Sequence, residues 1–441
     1  MHPTGTSLRR VAVATFTGTL IELYDFVIYA TAAALVFPHL FFPALGSSAG
    51  TVASFATLGV AFVFRPIGGV LFGHIGDRLG RKSTLVATLL IMGVATACIG
   101  LLPPASRIGV AAPILLILLR LVQGIAAGGE WAGATLFAVE HAPAHKRGFW
   151  AMFPQIGGTF ALALANATFL VTSVGMSNAA FLAYGWRIPF LISFLLVGIG
   201  LWVRLRIEET PSFTRQQRDA GSPALPFFEA CRHQPREIIF AAGTGLMFFA
   251  FFYIGATYLA SYATTTMHLS RIFVLTVGIA GGIAMPIGIV IGSALSDRWG
   301  RRPVIGTANA IAALWALAIA PLLTGGTGAA FAATICVTML IAGIAYGPTG
   351  AFLPELFRTR YRYTGAGLAY NLAALFGAGI APLAATSISS SFGLAGVGIF
   401  AAALCVVSTA STFALRETRH ETLDPATAPR GSRQLTRLED P

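Results

Sequence analysis

RPIGGVLFGHIGDRLGRK, running from Arg65 to Lys82, begins as apolar helix and ends in a cluster of charge. The chain returns to it as MPIGIVIGSALSDRWGRR, Met285 to Arg302. Pro66, Ile67, Gly68, Asp77, Arg78, Gly80 and Arg81 recur as Pro286, Ile287, Gly288, Asp297, Arg298, Gly300 and Arg301, every one 220 positions later. Seven identities at a single offset mark two homologous halves. Both copies lie between long apolar runs, so each reads as a tight charged hairpin at one face of a membrane.

Composition agrees. Of 441 residues, 56% are hydrophobic and only 10% charged, against about a quarter charged in a soluble chain. Cutting at charged and Pro/Gly-rich breaks gives twelve apolar runs near the length of about 20 residues that crosses a bilayer. They cover 12–36, 51–74, 84–102, 112–139, 149–172, 187–205, 238–266, 272–295, 303–323, 328–352, 363–389 and 393–415. Asn371, Gly377, Gly379 and Pro382 interrupt the eleventh. The expectation is an all-α polytopic membrane protein of two parallel six-helix repeats. An N-terminal bundle spans 1–204, a cytoplasmic linker 205–236, a C-terminal bundle 237–416, and a disordered cytoplasmic tail 417–441. The polar Leu8-Arg9-Arg10 start runs straight into a full-length span, which reads as an uncleaved first helix.

The formal net charge of +12 sits in short loops, which points to orientation and anionic lipid headgroups rather than nucleic acid. Lys and Arg gather in one set of loops: Arg9–Arg10, Arg78–Lys82, Lys146–Arg147, Arg204–Arg236, Arg298–Arg302, Arg358–Arg362 and the tail. The positive-inside rule then puts both termini in the cytoplasm. Cys98, Cys231, Cys336 and Cys405 stand alone, without metal-ligand spacing. There is no GxxxxGK[ST] phosphate loop, HExxH or GxSxG, so neither an enzyme, a metal site nor a cofactor is expected.

Few ionisable residues fall inside the runs: Glu22, Asp25, Arg65, Arg120 and Glu130, all in the first half. Each charge at mid-membrane costs about 2.5–3.5 kcal/mol on insertion scales, so each needs a partner or a wet cavity. Glu22 and Asp25 share a helix face with Tyr29, and Arg120 with Gln123 repeats the three-residue spacing on the fourth span. Buried acids and bases in one bundle suit ion pairs that open and close. Proton coupling needs a carboxylate whose proton affinity changes as its cationic partner comes and goes. Asp25, Glu22, Arg120 and Glu130 are the candidates, although Arg65 and Glu130 also suit a structural brace. In the second half Tyr253, Tyr258, Tyr262, Tyr346, Tyr370 and Asn371 are the polar groups. Packing is the commoner role of such tyrosines, but Tyr258 and Tyr262, four apart, could line a cavity together.

The hairpin charges Asp77, Arg78, Arg81 and Lys82, with Gly80, and their counterparts Asp297, Arg298, Gly300 and Arg301, read as gating groups. Asp77 ends its helix, where a negative charge opposes the macrodipole. It should be held by an Arg or by the amino end of a helix in the other half, a contact available in one conformation only.

These features together resemble the major facilitator superfamily, and within it the metabolite:proton symporter family. The motifs carrying the resemblance are IELYDFVIYA (Ile21–Ala30), FRPIGGVLFGHIGDRLGRK (Phe64–Lys82) and LRLVQGIAAGGEWAG (Leu119–Gly133). GWRIPF (Gly185–Phe190), TYLASYATT (Thr257–Thr265) and PELFRTRYRYTGAGLAYN (Pro354–Asn371) add to them. The resemblance implies a monomer that imports a small-molecule metabolite with protons by alternating access, around a cavity between the halves. It also implies that Arg120 belongs to an R-x-x-Q-G element paired with an acid on the first span, here Asp25. Leu23 replaces an aromatic before Tyr24-Asp25, and Ser293 replaces the Gly that would open the second hairpin motif, suggesting a weaker second gate. Arg65 and Arg120 are the cations available to a carboxylate, with Gln123, Tyr29, Tyr258, Tyr262 and Asn371 as further substrate contacts. A zwitterion carrier, an uncoupled facilitator or exporter, and a membrane sensor are the rival readings.

Overall fold

A computed structural model describes residues 8–79, 81–205, 226–358, 362–419 and 421. Ten helical stretches among them are long and apolar enough to cross a membrane. The shorter Val86–Leu101 adds one more, within the helix Arg81–Leu101. The stretch Arg362–Ala414 would be far too long for one crossing at 1.5 Å per residue. Gly393 divides it, at φ 64° and ψ −166°, a backbone that glycine adopts without a Cβ clash. Twelve spans result. The fourth is itself in two pieces, Ala111–Ala127 and Glu130–His141, separated by Gly128-Gly129.

Small residues set how closely the spans approach. A Cβ on Gly68 would overlap the Ile125 carbonyl, and one on Gly128 would overlap the backbone of residues 65–69, so the second and fourth spans touch backbone to backbone. The eighth and tenth spans repeat this, with Gly288 and Gly292 against Leu340 and Ile344, and Gly343 against Met285. Small-residue contacts of this kind replace the hydrophobic drive that lipid removes. They also express in space the repeat seen in sequence.

Two spans carry π-helical turns, Ile254–Leu259 in the seventh and Leu375–Ile380 in the eleventh. The second lies just before Pro382, which has no N–H to give the carbonyl four residues back. Glycines let the halves meet closely. The fifth span runs along the eighth, with Gly278 against Asn166 and Gly282 against Ala163. Gly59 of the second span touches the Gly379 backbone in the eleventh.

Two expectations are corrected. The tenth span continues to Leu356 rather than 352. Glu355 is therefore buried within it, and Arg301 and Arg362 are buried too, so the second half does hold buried charge. Charges near a span end read as loop in the sequence because their partners are far away along the chain. The start of the tail is also ordered. Glu417 accepts hydrogen bonds from the Arg301 and Arg302 backbone N–H groups, both at 2.9 Å, at the amino end of the helix Arg301–Thr324. Thr418 is buried and donates to Glu355 at 2.7 Å.

Candidate functional site

Glu22, Asp25, Phe26 and Tyr29 follow one another along the first span and are all buried. Glu22 forms an ion pair with Arg65 of the second span at 3.1 Å, both groups almost wholly out of solvent. Asp25 takes a different environment. It accepts from Thr96 of the third span at 2.9 Å and, through its other oxygen, from Ser193 of the sixth. Arg120 donates to Gln123 at 2.8 Å, and Gln123 donates to Thr96 at 2.7 Å. Asp25 and Arg120 thus form no direct ion pair. Two polar side chains link them in series.

Aromatic rings fill the remaining space. The Arg120 guanidinium lies 3.9 Å from the Tyr29 ring centroid and 4.6 Å from that of Phe26, while Arg65 sits 4.9 Å from Phe26. Phe26 therefore lies within reach of both cations, and its π system interacts favourably with each. The Tyr29 hydroxyl bonds Thr57 at 2.5 Å. Tyr253 enters from the second half, its ring 5.3 Å from Phe62, and Phe62 in turn faces Arg65. Arg120 is fully buried, and its Nε and Nη2 have no hydrogen-bond acceptor. A planar guanidinium with two nitrogens unengaged, set at the junction of the halves, suits a planar carboxylate.

The second-half candidates divide. Asn371 donates to the Gly128 carbonyl at 3.0 Å, holding the break in the fourth span from across the interface. Tyr370 stacks on Trp131 at 3.7 Å between centroids, and its hydroxyl meets that of Tyr346 at 3.1 Å. Trp131 donates to Gln155 at 3.1 Å. Tyr258 bonds Ser389 at 2.8 Å and lies 6.1 Å from the Tyr262 ring. No described contact brings Tyr258 or Tyr262 to Arg65 or Arg120. Glu130 opens the second piece of the fourth span, where the helix dipole favours a carboxylate. Sequence reasoning passed over Thr96, Ser193, Thr57 and Phe26. Hydroxyls abound in these spans, so only their aim into Asp25 or Tyr29 sets them apart.

At the end of the bundle where the first span begins and the twelfth ends, the halves are tied by charge. Asp297 accepts from the backbone N–H groups of Gly148 (3.0 Å) and Phe149 (2.9 Å), at the amino end of the fifth span. Its carboxylate also pairs with Arg301 at 2.6 Å. Arg301 reaches Glu355 at 3.5 Å, and Arg147 approaches Glu355 from the first half at 3.9 Å. Gly300, at φ 106°, turns the chain between the eighth and ninth spans. In the first hairpin, Gly80 and the side chains of Asp77, Arg78, Arg81 and Lys82 lie outside the described residues. At the opposite end Arg271 donates to Asn178 at 2.6 Å and covers the Phe181 ring at 3.7 Å. Contacts therefore join the halves at both ends. Among the described residues no His, Cys, Asp and Glu cluster could hold a metal.

The family model described as "Major Facilitator Superfamily" matches residues 15–378 and again 287–439. The inner membrane metabolite transport protein YhjE of Escherichia coli is 40% identical over 422 residues, 95% of this chain and 96% of that one. A shikimate transporter of Escherichia coli is 38% identical over 93% of this chain and 95% of its own length. A proline/betaine transporter from the same species is 34% identical over 95% and 86%. Among solved structures, a D-xylose-proton symporter superposes with a TM-score of 0.74 at 17% identity, covering 94% of this chain and 99% of that chain.

Proposed function

This chain belongs to the Major Facilitator Superfamily, and from that premise we propose that it imports a small organic acid together with a proton by alternating access. It is a multi-pass membrane transporter of metabolites and not an enzyme. The observation that carries the substrate reading is Arg120, buried on Tyr29 and Phe26 with Nε and Nη2 unengaged. Arg65 has Glu22 as its counter-ion, which leaves Arg120 as the cation to meet a carboxylate. Asp25, buried and linked to Arg120 through Gln123 and Thr96, is the proton carrier. The Lys and Arg distribution supports cytoplasmic termini, and in that orientation the Asp297 seam is the cytoplasmic gate. The membrane is the bacterial inner membrane, as in the name of one relative.

A zwitterion such as betaine or proline is the second reading. Phe62, Tyr253, Trp131 and Tyr370 supply aromatic faces at the interface, and one relative is named for these solutes. Uptake into proteoliposomes under an imposed pH gradient, competed in parallel by carboxylates and by betaine and proline, separates the two. Accumulation blocked by carboxylates and abolished by a protonophore supports the proposal. Competition by the zwitterions alone, or accumulation indifferent to the protonophore, overturns it.

A further inference from the structure

We infer that Thr96 is a positioning residue for coupling, its hydroxyl relaying the state of Arg120 to Asp25 through Gln123. This rests on the reading of Asp25 as proton carrier and Arg120 as carboxylate holder.

The geometry is a directed chain. Arg120 Nη1 donates to Gln123 Oε1 at 2.8 Å, which leaves the Gln123 amide free to donate to Thr96 Oγ1 at 2.7 Å. The Thr96 hydroxyl has a single proton and two acceptors at equal reach, Asp25 Oδ2 and the Met92 carbonyl, both at 2.9 Å. While Gln123 donates into Thr96, the hydroxyl is polarised toward the carboxylate, since hydrogen bonds in series strengthen one another. A substrate carboxylate on the free Nε–Nη2 edge of Arg120 neutralises the guanidinium, and this weakens the Nη1 bond to Gln123 Oε1. As that bond weakens, the Gln123 amide donates less strongly into Thr96, which can then turn its proton to Met92. Asp25 then keeps only the Ser193 hydroxyl, and its protonated form gains. Substrate and proton therefore bind cooperatively, the sign a symporter needs.

The charged groups that reach Asp25 are Arg120 and Glu22, and Glu22 is matched by Arg65. The Tyr24 phenol is the other titratable neighbour, and it is engaged by Thr168 and the Pro189 carbonyl. Among the described contacts, the third and sixth spans meet Asp25 with hydroxyls, Thr96 and Ser193. A purely coulombic link from Arg120 would not pass through Thr96, so the two routes are separable.

The test needs no substrate. The infrared band of the protonated carboxyl is titrated in the purified full chain in lipid nanodiscs, and Asp25→Asn identifies which band belongs to Asp25. Thr96→Val and Gln123→Leu should each move the midpoint to higher pH by about one unit, tenfold in proton affinity. The double variant should move it no further than the larger single change, because both act on one network. Thr96→Ser should return it to within about half a unit of the starting protein. Unmoved midpoints in both single variants, or shifts that add in the double variant, overturn the relay and leave Asp25 as carrier. A band that persists unchanged in Asp25→Asn overturns the Asp25 reading itself, and the relay with it.

Discussion

Replacing Asp297 by Asn tests whether the charged seam gates the carrier. The Asp297 carboxylate receives the Gly148 and Phe149 backbone N–H groups at 3.0 and 2.9 Å, across the interface between the halves. These N–H groups open the fifth span, where no residue of its own helix can accept them. Hydrogen bonds to a charged group contribute about 1.5–3 kcal/mol, and a charge at a helix amino end about 0.3–1 kcal/mol more. Asn retains one neutral acceptor worth about 1 kcal/mol. The net loss is therefore about 2 kcal/mol, felt only while the seam is closed, and it shifts the two-state balance roughly thirtyfold toward the open seam. Arg301 keeps its contact with Glu355 at 3.5 Å, so the helix ends themselves should hold. The assay is thiol labelling after replacement of Cys98, Cys231, Cys336 and Cys405. Single cysteines report from Ala351, packed in the seam against Ala151 and Val139, and from Leu35, half-buried at the far end of the first span. Labelling at position 351 should rise and at 35 should fall, with turnover slowed and expression kept. Lost transport with unchanged labelling at 351 would refute the gate.

Asp77→Asn should bias the carrier in the same direction and more strongly, since the second hairpin has Ser293 in place of Gly; the same labelling pair measures it. Asp25→Asn should abolish accumulation driven by a pH gradient yet leave counterflow exchange measurable. Retained accumulation would move the proton to Glu22 or Glu130. Arg120→Lys should weaken carboxylate binding about tenfold or more, because an ammonium loses both the two-pronged contact and the stack on Tyr29. Unchanged affinity in a direct binding measurement would exclude that mode of recognition.

Much of the fold was legible because a bilayer leaves few choices. Backbone groups in hydrocarbon must be satisfied within each segment, so run length alone counts spans. The break between the eleventh and twelfth was visible in sequence at 390–392, and the kink at Gly393 borders it. The repeat of Arg65–Lys82 at Met285–Arg302 announced two halves, and the glycine contacts of Gly68 and Gly288 show the same packing in each. Rarity made the buried ionisable groups equally visible: Glu22, Asp25, Arg65 and Arg120 stand out in an apolar chain because each is costly there.

Partners were another matter. The sequence offered three acids and two bases, and one pairing, Asp25 with Arg120, followed from resemblance. The fold instead gives Arg65 to Glu22 and sets Gln123 and Thr96 between Asp25 and Arg120. Pairing depends on where the second, third and fourth spans lie around the first, and side-chain spacing along one helix carries no such information. The tail shows the same limit. Glu417 looked like one more charge in a polar end, yet it caps a helix that begins 116 residues earlier, at Arg301. Composition and periodicity decide what each segment must be in lipid. Only the packed bundle decides which acceptor meets which donor, because that choice is made by distances between residues far apart in the chain.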